Sequence, residues 1–494
     1  MTLLVSASVA YAQFGGGPAD FSTSGSDAQR SSWIRGDPKI SKESLQKPGF
    51  QFLWKVKLAN DPKESTTLSP AALLTRYIGY RGFRSLGFIG GSGDRVFALD
   101  TDLGHIEWQK PIASATSTCG MTANLARPVS AAFPGGGGGR FGGGGRGGPA
   151  KSGVGAPDEG AVTLKEIAAR GGAANPFGPD QAGGRRGGAP AGPGAPGGGG
   201  RMRTPSYLNA VSSDGMFHSM YVSNGEEPEP PIKFLPPNAS AMGLTVVDNV
   251  AYAVTSTSCG GATDAVWALD IASKQVASWQ SRSGAIVGSA GAAFGPDGAL
   301  YIATDSGDLI ALEPKTLKMR DVYKTGAPLT SSPVVIQGQE DAMIAIAAKD
   351  GRIHLLSAKL GGAADKSEPL SAPAQSLATW QDASGTRFLL APTASSLVAL
   401  KVADHTIETA WKRDIDVPLA PLVIDGVVFA ASSGKAGTPA MLHALDASTG
   451  STLWDSGKTI TSFVHGGGIS GGGSQVYLGT NDGTFYAFGF PIEH

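Results

Sequence analysis

Short runs of alternating apolar and polar residues recur along the chain at a near-constant interval. Val96-Phe97-Ala98-Leu99-Asp100, Val266-Trp267-Ala268-Leu269-Asp270, Leu309-Ile310-Ala311-Leu312-Glu313 and Ile353-His354-Leu355-Leu356-Ser357 are copies of one phrase. Leu397-Val398-Ala399-Leu400-Lys401, Met441-Leu442-His443-Ala444-Leu445-Asp446 and Phe485-Tyr486-Ala487-Phe488 repeat it again. The central residues fall at 268, 311, 355, 399, 444 and 487, in steps of 43, 44, 44, 45 and 43. A weaker copy, Phe217-His218-Ser219-Met220, centres 49 residues before Ala268 and brings the number to eight. Alternation is the period of a strand. Self-similarity at this interval is the mark of propeller blades of the WD-like kind.

The rest of each repeat supplies three more strands. Asp214-Gly215, Asp350-Gly351 and Asp482-Gly483 precede three of the copies, and Asp-Gly provides the positive φ angles of a tight hairpin. None of these Asp/Gly clusters continues with the acidic spacing of a calcium loop. Upstream stand apolar strands such as Gly298-Ala299-Leu300-Tyr301-Ile302-Ala303 and Gly426-Val427-Val428-Phe429-Ala430, and before them Ser332-Pro333-Val334-Val335. The last copy ends at Phe488-Gly489-Phe490 without an outer strand of its own. Phe52-Leu53-Trp54-Lys55-Val56 resembles the missing one. We therefore expect an all-β chain, an eight-bladed β-propeller of four-stranded antiparallel blades over residues 50–490. The N-terminal strand closes its last blade and removes the open sheet edge.

Composition changes that picture in one place. Residues 131–204 hold 27 of the 72 glycines and eight prolines, too little apolar surface to offset chain entropy. The segment reads as a disordered insertion within the propeller, with one helix-like piece at Ala161–Arg170 stopped by Gly171-Gly172. Its nine basic and four acidic residues invite an Arg-Gly type of RNA-binding reading; a solvated loop is the simpler one. The whole chain carries 40 basic against 41 acidic side chains, which removes the electrostatic case for nucleic acid as a partner. No apolar run approaches the roughly 20 residues of a membrane span, so no transmembrane segment is expected. Residues 1–12 end in Ala10-Tyr11-Ala12 and resemble the end of a secretory signal, without its basic start. We expect removal of that segment, an N-terminal extension over 13–49, and a periplasmic or secreted protein. There a disulfide is chemically permitted.

The phrase Ala444-x-Asp446-x-x-Thr449-Gly450-x-x-x-Trp454 resembles the repeat of the pyrroloquinoline quinone (PQQ) propellers, the quinoprotein alcohol dehydrogenase-like family. Ala98, Asp100, Gly104 and Trp108 match all of it but the Thr, while Trp279 and Trp411 are displaced. The resemblance covers residues 50–490 apart from the insertion. It implies structural roles for Trp54, Trp108 and Trp454, which in that family pack between blades, and for the repeat residues Asp100, Asp446, Gly104 and Gly450. The same propeller serves quinoprotein dehydrogenases and a non-enzymatic scaffold of outer-membrane assembly, so fold does not decide function.

In those dehydrogenases PQQ lies over the central funnel, with Ca²⁺ or a lanthanide polarising it and an Asp as base. They also carry a pair of adjacent cysteines. This chain has two separate cysteines, no Cys-x-x-Cys-His haem motif, and no base or metal set that can be matched residue by residue. Catalytic and cofactor-binding residues stay unassigned, no metal site is expected, and PQQ with Ca²⁺ or a lanthanide is the cofactor only if the enzyme reading holds. Cys119 lies on the connection into blade 2 and Cys259 between the second and third strands of blade 3. Those loops share a face, so a Cys119–Cys259 disulfide is geometrically reasonable, with two free thiols as the alternative. His354 and His443 occupy equivalent repeat positions, which favours a repeat role over metal binding. His465, beside Gly466-Gly467-Gly468, is placed on an inner strand near the channel.

The leading expectation is a non-catalytic binding or scaffold module, monomeric, taking a protein or small-molecule ligand at one face or in the funnel. The alternative is a PQQ- and metal-dependent dehydrogenase of an alcohol or sugar. A third reading is envelope or polysaccharide attachment through the basic insertion. Convergent acids with an Asn at a funnel mouth favour the enzyme; an apolar or plugged funnel favours the scaffold.

Overall fold

Arg95–Asp100, which carries the first copy of the repeated phrase, is the third of four antiparallel strands with Ala72–Gly79, Gly82–Gly91 and His105–Pro111. This is blade 1 of a computed structural model that describes residues 21–60, 68–79, 82–113, 123–129, 206–256, 261–336, 342–362, 364–403 and 406–491. Seven further sheets follow around the ring, each with its copy of the phrase as the third strand. Blade 8 is completed from the other end of the chain: Gln51–Lys57 pairs antiparallel with Thr484–Gly489 and is its outermost strand. The protein is an eight-bladed β-propeller closed by its N-terminal strand. No helix among the described residues is long and apolar enough to cross a membrane.

Two faces follow from this strand order. On the upper face, blade connections meet the turns between second and third strands. There Ile112 N donates to Asp94 O, Leu235 N to Gly215 O and Leu58 N to Gly483 O, each at 2.9 Å. On the lower face lie the other turns, where Thr101 N donates to Ser85 O at 2.9 Å and Ile271 N to Asn249 O at 3.1 Å. The insertion falls between Asn124–Ala126, the inner strand of blade 2, and Tyr207–Val211, its second strand. The chain therefore leaves and re-enters blade 2 on the lower face, opposite the loops that carry the cysteines. The insertion itself lies outside the described residues.

Uniform four-stranded blades need correction in three places. Pro128–Val129 adds to the inner strand of blade 3, Ser240–Val247, in parallel. Trp33–Ile34 adds in parallel to Leu422–Ile424, the inner strand of blade 7. In blade 4 the inner strand is broken into Ile286–Val287 and Ala293–Phe294, both paired with Leu300–Thr304.

The repeat signature explains how the blades hold together. Asp100 Oδ1 accepts from Asp102 N and Leu103 N at 3.0 and 3.1 Å, and Asp446 Oδ1 from Ser448 N at 2.8 Å. Each closes the turn after the third strand, which ends on a left-handed glycine, Gly104 or Gly450. That glycine receives the tryptophan of the preceding blade. A Cβ on Gly104 would lie 2.5 Å from the Trp54 ring, and one on Gly450 2.6 Å from Trp411. The indole N–H groups donate to Thr101 O and Ala447 O at 2.9 and 2.8 Å, three residues before each glycine. Trp411 is displaced in sequence only, because it pairs with Ala399 as Trp108 pairs with Ala98. Trp454 has no such turn to meet in blade 8, and packs edge-on against Phe50 (4.9 Å) and Phe488 (5.5 Å) instead.

Candidate functional site

The inner strand of every blade is a sheet edge facing the central channel, and its backbone groups need partners. Residues 21–34 supply some of them in blades 1 to 7. This segment, the belt, curls around the inside of the ring and meets the blades in order. Leu73 N donates to Phe21 O at 2.7 Å and Arg127 N to Ser22 O at 2.8 Å, from blades 1 and 2. Thr23 Oγ1 donates to Leu244 O of blade 3. Phe294 N then donates to Ala28 O (2.8 Å), Val335 N to Gln29 O (3.0 Å), Thr379 N to Ser31 O (2.9 Å) and Val423 N to Ser32 O (2.9 Å), from blades 4 to 7. The tight curl uses left-handed backbone at Ser26, Arg30 and Ser32, with φ of 70°, 60° and 50°.

Arg30 locks the belt to blades 3 and 4. Its side chain is 1% exposed. Nε donates to Ala292 O at 2.8 Å, Nη2 to Gly243 O at 2.8 Å and Nη1 to Ser24 O at 2.7 Å. Burial lowers its pKa to about 10, partly opposed by the charge of Asp27. Burial likewise raises the Asp27 carboxyl, against hydrogen bonds from Ser31 and the charges of Arg35 and Arg30. The chain then leaves by the lower face, where Gly36 N donates to Asp425 Oδ1 at 2.9 Å and Ser474 N to Asp37 Oδ2 at 2.8 Å.

Above the belt the funnel survives as a cup of about 630 Å³, lined from all eight blades and floored by the belt. Its described lining is apolar residues from Gly and Ala up to Phe21 and Met242, hydroxyls and the amides of Asn124 and Gln375; Arg30 is the one charged side chain among them. Ser332 Oγ is buried in the lining without a hydrogen-bond partner. A Ca²⁺ or lanthanide ion takes oxygen ligands in which carboxylates figure prominently, and the hydroxy-to-quinone reaction needs a base. The described lining offers no carboxylate for either task, so these residues do not fit the PQQ–metal pair.

Other candidates resolve as follows. Cys119 and Cys259 lie outside the described residues, as do residues 1–12; the flanking residues Ala123 and Gly261 belong to upper-face loops. His465 is exposed in the connection before Ile469–Gly472, so it is not on the inner strand, although Gly466 beside it lines the cup. His354 is fully buried with neither ring nitrogen hydrogen-bonded, and burial lowers its pKa. Burial likewise lowers that of His443. Asp100, His105 and Glu107 converge closely enough to suggest a cation site. A guanidinium already stands there: Arg84 Nη1 is 2.6 Å from Glu107 Oε1 and 3.8 Å from Asp100 Oδ2.

The belt is the feature that sequence reasoning missed. Its contacts run mostly through backbone carbonyls, which any residue provides, and its one sequence hint is a lone Arg30 in a Ser-rich stretch.

Fold and repeat together define an eight-bladed β-propeller whose repeat resembles that of the PQQ propellers. Residues 264–489 match the family PQQ_2, described as "Outer membrane protein assembly factor BamB". No curated protein matches the chain significantly. Among solved structures it is similar to the quinohemoprotein alcohol dehydrogenase from Comamonas testosteroni, at 13% identity and a TM-score of 0.55, over 96% of this chain and 81% of that one. It is similar to the quinohemoprotein alcohol dehydrogenase ADHIIG from Pseudomonas putida HK5 at 11% identity and a TM-score of 0.56, with coverage of 96% and 81%. A europium-containing methanol dehydrogenase matches at 10% identity and a TM-score of 0.56, with coverage of 96% and 98%. Identities this low show the shared fold alone.

Proposed function

We propose that the protein is a non-catalytic binding or scaffold propeller that presents the upper face and its cup to a protein or small-molecule ligand. The observation that carries this reading is the belt. The chain's own residues 21–34 fill the channel beneath the cup, bonded to seven blades, and no described cup residue is an acid. The family description, an outer-membrane assembly factor, points the same way. The protein acts after export to the periplasm or outside the cell, as a monomer, with Cys119 and Cys259 joined across the upper face. The competing reading, a PQQ- and metal-dependent dehydrogenase, draws on the dehydrogenases that share the fold. Reduction of an artificial electron acceptor by alcohols and sugars separates the two. With PQQ and Ca²⁺ or a lanthanide in excess, no rate above the cofactor-free blank is expected; turnover requiring both additions would overturn the proposal.

A further inference from the structure

The inner strand of blade 4 stops at Val287 and resumes at Ala293. Between them Gly291 N donates to Gly288 O at 3.1 Å, closing a tight turn with left-handed glycines at both ends, φ 89° and 74°. Arg30 Nε holds the chain just beyond the turn through Ala292 O. Ser289 and Ala290, at the tip, line the cup, and Ser289 is exposed. Among the described residues neither Ser289 N nor Ala290 N has a backbone acceptor. Irregularities that interrupt strand pairing gather beside binding sites, where they give up ladder bonds to re-aim side chains.

A second cavity, of about 540 Å³, opens at the same break. It runs over the upper face of blades 4 to 6, with Val287 and Gly288 at its inner end. Asp305 and Lys349, from turns between second and third strands, stand at its outer end. Gln375, whose side chain is exposed, lines both this trough and the cup. Around the cup the two halves of the ring differ. Uncharged polar side chains reach it from blades 2 to 6, among them Asn124, Ser240, Ser289 and Gln375. From blades 7, 8 and 1 the lining is apolar or glycine apart from Ser69. The Ser69 hydroxyl is already taken, donating to Pro70 O at 3.0 Å and accepting from Gly90 N at 2.8 Å.

We propose that cup and trough together hold a glycan chain, with one sugar ring in the cup and the next rings leaving over Gln375 along the trough. This rests on the reading of the protein as a binding propeller and names its ligand. A pyranose ring has an apolar C–H face and a rim of hydroxyls that donate and accept. The cup meets the first with Pro70, Ala420 and the glycines 466–468, and the second with Ser289, Gln375 and the free amides of the blade 4 turn. No ionic group is called for, because Arg30 spends its donors on Ala292 O, Gly243 O and Ser24 O. The trough continues the cup outward in one direction, which suits a chain rather than a single sugar. A peptide would add as a strand to a sheet edge, and the belt already bonds to the inner edges of blades 1, 2 and 4 to 7.

Titration calorimetry of the mature protein with malto-, cello- and chito-oligosaccharides, from the single sugar to the hexamer, tests the proposal. At least one series should bind, with affinity rising about tenfold or more between the single sugar and the tetramer as the trough fills. Ser289→Trp, at the exposed tip of the turn, should abolish binding and leave the urea midpoint unchanged. Gln375→Ala should weaken the tetramer about fivefold, the loss of one hydrogen bond. Silence from all three series, affinity that does not grow with chain length, or binding untouched by Ser289→Trp would each overturn the glycan. Tetra-alanine bound in the cup where every sugar fails would overturn it too, yet leave the binding-propeller reading standing. Oxidation of a bound sugar that requires PQQ and metal would overturn that reading itself.

Discussion

The Trp108 indole lies against Gly225 of the next blade, where a Cβ would come within 2.7 Å of the ring. Its N–H reaches Val222 O at 3.0 Å. Trp54 and Trp411 meet Gly104 and Gly450 in the same way. In blade 3 the matching turn position is Lys274, left-handed at φ 60°, and the preceding outer strand, Ile232–Lys233, has no tryptophan. Glycine is needed for the neighbour's ring more than for the turn.

Gly225→Ala should therefore cost about 3 kcal/mol, from overpacking and a left-handed alanine. Lys274→Gly should change stability by no more than about 1 kcal/mol. Urea unfolding of the two variants measures both. Equal losses would mean that the turn, not the seam, selects glycine.

The repeat made the ring legible in sequence because it is written in side chains: alternating strands, Asp-Gly turns, and Trp54 standing where the last blade lacks its strand. The belt was not legible because its bonds run through the carbonyls of Phe21, Ser22, Ala28 and Gln29, which carry no side-chain signature. The face of the insertion was hidden for a related reason. The inner strand of blade 2 is only Asn124–Ala126, too short to show alternation. For the site, the sequence offered no PQQ set that could be matched residue by residue, and only the structure showed the belt in the channel.

If the belt lines the channel, the amides of Leu73, Val335, Thr379 and Val423 are protected although they lie on sheet edges. Hydrogen exchange should place them with the slow core amides. Arg30→Met should cost about 3 kcal/mol and speed these four amides together, because Ser24, Gly243 and Ala292 each lose the donor to their carbonyl. Edge-like exchange in the native protein would mean that the belt does not occupy the channel.

Burial depresses the pKa of His354 from its ordinary value of 6.5. As pH falls through 6.5 the unfolded chain takes a proton that the native chain refuses, so stability present at higher pH is lost on acidification. The loss is at most about 1.4 kcal/mol per pH unit for this group. Equivalent positions hold Ile310 and Val398. His354→Ile should raise the urea midpoint at neutral pH and flatten the loss below pH 6.5; a lower midpoint would contradict the assignment.

Alkylation of unreduced, denatured, mature protein reads the state of the cysteines. The expected outcome is no label on Cys119 or Cys259 before reduction and two labels after it. Two labels at the outset would show free thiols.

The most direct test of the central claim, a belt-plugged propeller without quinone chemistry, is the melting temperature of the mature protein with and without PQQ plus Ca²⁺ or a lanthanide. A ligand at 100 times its dissociation constant would stabilise the fold by about 2.7 kcal/mol, or roughly 2 °C or more in a protein of this size. The account predicts no shift. A rise of that size that needs both quinone and metal would contradict it.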